Sequence, residues 1–93
     1  MPIGLLTLEL HLPYAHSLKE KRFVIQKLKD RLRSKFNVSV AELEHQDLWQ
    51  RSVVGVVSIS SDQTNLEMVL SSVERESASI LGGDLVSAQT EFL

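Results

Sequence analysis

From Ile3 to Leu12 the chain alternates. Leu6, Leu8, Leu10 and Leu12 fall on one side, and Thr7, Glu9 and His11 on the other. A period of two with one apolar face predicts a half-buried strand. Pro13 closes it, because proline has no N–H to give a ladder. Beyond it the period lengthens: set 100° apart, Leu18, Val24, Ile25, Leu28, Leu32 and Phe36 share one stripe, which predicts a helix over 18–36. Ser17 with Glu20 forms a capping box at its start. Asn37 follows its end as a residue suited to the left-handed conformation that closes a helix. Val38 to Glu44 reads as a second strand, with Val38 and Val40 on one face. His45 to Gln50 is a polar connection around Leu48 and Trp49. Val53 to Ser60 carries valine on both faces, which predicts a central strand. Ser60, Ser61 and Asp62 offer N-caps for a second helix with the stripe Leu66, Val69, Leu70, Val73 and Ile80, ended by Gly82-Gly83. Leu85 to Phe92 completes the set, with Val86, Ala88 and Phe92 on one side.

The order is βαββαβ, uninterrupted by linker or repeat. It predicts one α+β domain over 1–93, a ferredoxin-like sandwich with two helices on one face of a four-stranded antiparallel sheet. The other sheet face mixes Thr7, Glu9 and His11 with valines of the third strand. A mixed open face of that kind predicts a homodimer.

Composition adds bounds. With 43% apolar and 24% charged residues over 93 positions, the chain has the make-up of an ordinary folded domain. It holds no cysteine, which excludes disulfides and thiolate metal sites. No apolar run approaches the roughly 20 residues of a membrane helix, and 1–12 lacks a basic leader region, so a soluble cytoplasmic protein is expected. The net charge of −2 weighs against nucleic acid as a partner for the chain as a whole. The charge is segregated, however. Eight of the ten Lys and Arg stand between Leu18 and Phe36, opposed there only by Glu20 and Asp30.

That basic helix is the first candidate site. Lys19, Arg22, Lys27, Arg31, Arg33 and Lys35 present long cations of the kind that displace counterions from RNA or DNA. The competing reading is a solvated face, partly neutralised by Glu67, Glu74 and Glu76 of the second helix. Phe23 lies opposite the apolar stripe among lysines, as a stacking ring or as a ring lying over lysine stems. Lys21 projects beside the buried stripe, and either snorkels past the sheet end or pairs with a carboxylate such as Asp47. His16, His45 and Asp47 are of metal-ligand type but lack the spacing of a metal motif. Glu9 and His11 share a strand face, as an acid–base pair or as ordinary polar neighbours. Trp49 is expected as a lid over one end of the core, its indole nitrogen bonded. A small anion suits the helix N-terminus at Ser17 and Lys19. No Ser-His-Asp order, glycine-rich phosphate loop or nucleophile elbow occurs, so neither catalysis nor a cofactor is expected. The first and third strands offer no aromatic for base stacking in the RRM manner, and there is no GxxG clamp.

Two stretches, HLPYAHSLKEKR (11–22) and NVSVAELEHQDLWQR (37–51), resemble the YlxP-like family of small bacterial proteins. The resemblance extends over the whole chain and is weakest in its last third. It implies a ferredoxin-like sandwich with no established activity. Because the family's genes keep company with those of translation factors and a ribosome-binding factor, it also implies a ribosomal or RNA-related role. His16, Ser17, Lys21, Gln46, Asp47, Trp49 and Arg51 form the polar cluster of the matching stretches, while Phe23 departs from a position more often basic. The sequence thus points to a non-enzymatic factor that meets ribosomal RNA or a ribosomal protein through 18–36. The alternative is a homo-oligomeric structural or ligand-sensing module. No small-molecule substrate is indicated.

Overall fold

In the computed structural model, which describes residues 2–93, the chain runs β1 (Ile3–His11), α1 (Leu18–Lys35), β2 (Ser39–Glu44), β3 (Arg51–Ile59), α2 (Gln63–Leu81), a 3-10 turn (Gly82–Asp84) and β4 (Leu85–Phe92). All neighbouring strands are antiparallel, in the order β2-β3-β1-β4. This is the ferredoxin-like sandwich that the pattern predicts. The valine-rich β3 lies between β2 and β1, as its two apolar faces require.

The alternation of β1 fixes the layers. Leu6, Leu8 and Leu10 are fully buried and share one core with Leu28 and Leu32 of α1, Leu66, Leu70 and Val73 of α2, and Val40, Val54 and Val56 of the sheet. Each buried leucine contributes about 1.5–3 kcal/mol relative to an exposed one. The opposite sheet face is bare of helices. There Leu5 pairs with Val57, Thr7 with Gly55, and Ile3 with Ile59. Leu43 of β2 folds over Gly55, where an added Cβ would stand 2.6 Å from its Cδ1. The missing side chain is what lets Leu43 lie down.

Two local expectations change. The register of β1 against β4 shifts between Glu9 and Leu10, so Leu85 pairs with Leu10. Val86 falls in that bulge and is exposed, while Leu85 and Ala88 pack on the core. Asn37 does not adopt a left-handed conformation. α1 instead ends through an extended Phe36, whose N–H bonds Leu32 O, and the chain passes straight into β2. Among the described residues, the left-handed residue outside glycine is His45, φ 64°, which reverses the chain after β2. Gly82 stops α2 at φ 57°, as expected of the Gly82-Gly83 pair.

Candidate functional site

The two motif stretches meet at one end of the sheet, and a buried cation joins them. Lys21 starts on the apolar side of α1 and is 0% exposed. Its Nζ lies 2.9 Å from Glu42 Oε2, 2.6 Å from His45 O, 3.3 Å from Arg51 O and 3.4 Å from Gln46 O. Ser52 Oγ donates to the same Glu42 oxygen at 2.7 Å. Snorkelling is thereby overturned, and so is Asp47 as partner. The side chain enters the space beneath the β2–β3 connection, where three carbonyls and a carboxylate replace its water.

The same connection is tied to the β1–α1 loop. Gln50 O accepts from Leu12 N at 2.8 Å, and the Gln50 amide donates to Pro13 O and Ala15 O at 3.1 and 3.3 Å. At the start of α1, Ser17 Oγ accepts from Glu20 N while the Glu20 carboxylate accepts from His16 N at 2.8 Å. The capping box forms with its return bond one residue earlier than usual. The Glu20 carboxylate thus lies against the backbone just ahead of α1, beside the place where a small anion is expected near Ser17 and Lys19.

The cations of α1 divide by flank. Lys27, Arg31 and Lys35 lie toward α2, where Glu76 takes Lys35 at 2.9 Å and Arg31 at 3.5 Å. Arg22, Lys29 and Arg33 lie toward β2, where Arg33 reaches only the neutral Val40 carbonyl at 3.4 Å. Among the described residues, Lys19, Arg22, Lys27 and Lys29 make no ion pair. Neutralisation by α2 thus rests on Glu76, and Glu67 and Glu74 pair with no cation among the described residues. Phe23 is 74% exposed and borders a shallow groove with Lys27, Arg31 and Ile80.

Beyond Lys21, the polar cluster is mostly at the surface. Trp49 is no lid. It is 52% exposed, and its indole nitrogen makes no hydrogen bond among the described residues. With His11, Asp47, Leu48, Gln50 and Arg51 it lines an open groove of about 460 Å³. His16 and Gln46 are exposed beside it in sequence but do not line it. Arg51 Nη2 lies 3.7 Å from Glu9 Oε1, and Ser87 Oγ donates to the other oxygen of Glu9, so Glu9 faces a cation and a hydroxyl rather than a free histidine. Among the described residues, no three His, Asp or Glu side chains are placed to hold a metal ion, and His16, His45 and Asp47 form no such group. Glu42, Gln50 and Lys29 are the site residues that sequence reasoning did not single out, whereas His11, weighed there only as a partner of Glu9, lines the Trp49 groove instead. The signal for Glu42 and Gln50 was their place inside the matching stretches.

At the other edge of this end, Tyr14 Oη donates to Asp84 Oδ2 at 2.9 Å. Desolvation raises the Tyr14 pKa above its usual value, and the Asp84 hydrogen bond and negative charge raise it further.

Fold and site together define a small ferredoxin-like α/β sandwich with a cationic helix and a pinned loop at one sheet end. The family model described as "Protein of unknown function (DUF503)" matches residues 3–90, and the chain belongs to that family. The chain is 44% identical over 59 residues to the uncharacterized protein YlxP of Bacillus subtilis (strain 168). That alignment spans 63% of this chain and 64% of the relative. Among solved structures, it is similar to a putative antibiotic biosynthesis monooxygenase from Bordetella bronchiseptica at 10% identity and a TM-score of 0.58, over 100% of this chain and 96% of that one. It is also similar to a de novo designed protein with ferredoxin fold at 7% identity and a TM-score of 0.55, over 100% and 83%. At these identities the likeness is one of fold. Among the described residues, no helix is long and apolar enough to cross a membrane.

Proposed function

We propose that this protein is a non-enzymatic RNA-associated factor that docks phosphates along the β2 flank of α1, with ribosomal RNA as the partner class. The observation that carries the reading is the division of cations. Lys21, Arg31 and Lys35 are held by Glu42 and Glu76, whereas Lys19, Arg22 and Lys29 make no ion pair among the described residues and Arg33 meets only a carbonyl. From Arg22 to Arg33 that flank runs about 16 Å along the helix. Cations without carboxylate partners on one side of an acidic protein give a directed attraction to polyanions. Compared with the wider set Lys19, Arg22, Lys27, Arg31, Arg33 and Lys35, the docking surface loses Lys27, Arg31 and Lys35, which lie toward α2, and gains Lys29.

Titration of labelled ribosomal RNA fragments and 30S particles between about 50 and 200 mM salt tests this. Neutralising four phosphates gives a log–log slope of about −3. Absence of binding at the lowest salt, or affinity indifferent to salt, would overturn it.

A second reading rests on the open sheet face, where Leu43, Val57 and Ile59 are exposed together. A second copy of the chain covers them in a face-to-face homodimer. Sedimentation equilibrium that returns a monomer at every concentration counts against it.

A further inference from the structure

Trp49 stands out because it is exposed yet fixed. The loop that carries it is anchored on both sides: Lys21 Nζ bonds the carbonyls of His45, Gln46 and Arg51, and Gln50 is bonded through its carbonyl to Leu12 and through its amide to Pro13 and Ala15. A ring displayed by an immobilised loop loses little freedom when something lands on it. Its neighbours in the groove are His11, Asp47, Leu48, Gln50 and Arg51. The groove therefore offers a flat π-surface, the half-exposed Arg51 guanidinium that also lies 3.7 Å from Glu9, and several donors and acceptors along one wall.

We propose that this groove takes one unpaired nucleotide of single-stranded RNA. The base stacks on the Trp49 indole, its edge meets His11 and Asp47, and its phosphate meets Arg51. This rests on the reading of α1 as the phosphate-docking element and extends it to the form of RNA recognised. Two observations favour a nucleotide over an acidic peptide. Asp47 is a carboxylate in the groove wall, which accepts from exocyclic amines and repels acidic side chains. The first turn of α1 is bonded to the same loop through Lys21, so a strand following Arg33, Lys29 and Arg22 arrives at this end of the sheet.

Trp49 is the only tryptophan, so tryptophan emission, excited selectively over Tyr14, reports on the groove alone. The experiment has two arms. In the first, emission is followed while 5′-mononucleotides, a hexameric single-stranded RNA, a blunt RNA duplex and polyglutamate are added in turn. In the second, labelled single-stranded and duplex RNAs are titrated by anisotropy with the wild type, Trp49→Ala and Trp49→Phe, after thermal melts establish that each is folded. The expected result is saturable quenching by the single strand. Trp49→Ala then lowers single-strand affinity by about tenfold, the scale of one lost base stack. Duplex affinity stays within about twofold, because only the phosphate contacts are retained. Trp49→Phe recovers most of the loss. RNA binding with unchanged emission, and equal affinity of Trp49→Ala and wild type, overturns the groove while leaving α1 as the docking element. Saturable quenching by mononucleotides without any RNA affinity overturns both the role of α1 and the single strand as the occupant of the groove. Quenching by polyglutamate alone, or by nothing, overturns the groove.

Discussion

Lys21 Nζ lies 2.9 Å from Glu42 Oε2 with no part of the lysine exposed, while Glu42 also accepts from Ser52 at 2.7 Å. The pair joins α1 to β2 and β3, and through the His45 and Arg51 carbonyls it sets the path of the loop between them. Three ammonium donors are shared among four acceptors. Lys21→Met leaves a partly buried carboxylate and three carbonyls without their cation, so the expected loss is about 3–5 kcal/mol in urea unfolding. Lys21→Met with Glu42→Leu removes both charges and recovers most of that loss. If the double variant is no better than the single one, the carbonyl bonds rather than the ion pair hold the loop.

Tyr14 gives a pH prediction. It is the only tyrosine, and its pKa is raised by desolvation first and then by Asp84. A folded pKa above the unfolded one favours the protonated state of the fold. The contribution is fully present below the ordinary tyrosine pKa of about 10 and is lost as pH rises through the folded value. Asp84→Asn removes the negative charge, and tyrosinate absorbance in a pH titration should then appear at lower pH than in the wild type. An unchanged midpoint contradicts the role of the bond.

Two glycines separate core from surface. A Cβ at Gly4 meets Leu70 Cδ1, a side chain packed in the core, whereas one at Gly55 meets the half-exposed and movable Leu43. Gly4→Ala should cost about 1–3 kcal/mol through overpacking, and Gly55→Ala less than about 1 kcal/mol. The midpoint of urea unfolding at constant m-value measures both.

The layers were legible because periodicity reports burial directly: the Leu6-Leu8-Leu10 alternation and the Leu28-Leu32 stripe name the faces that meet. The bulge at Val86 was not legible. A one-residue shift leaves the pattern of β4 plausible in either register, and only pairing with Leu10 decides it. Asn37 and His45 are both residue types that tolerate φ > 0. The choice between them is made by the direct passage of α1 into β2 and by the turn that must follow Glu44. Lys21 read as a snorkelling side chain because a cation on an apolar stripe normally escapes to water. Its partners stand 21 to 30 positions away, beyond the reach of local pattern. The candidate surface was legible as charge, but the ion pairs with Glu42 and Glu76 are what show which cations are spent within the fold.

The two flanks of α1 provide the most direct test. One variant carries Arg22→Glu, Lys29→Glu and Arg33→Glu on the β2 flank, and the control carries Arg31→Glu and Lys35→Glu on the α2 flank. Affinity for a ribosomal RNA fragment is then measured for both across a salt series. The predicted result is loss of binding and a flattened salt slope for the first variant, with the slope of the control close to that of the wild type. Equal losses in both variants, or full binding by the first, would contradict docking along the β2 flank.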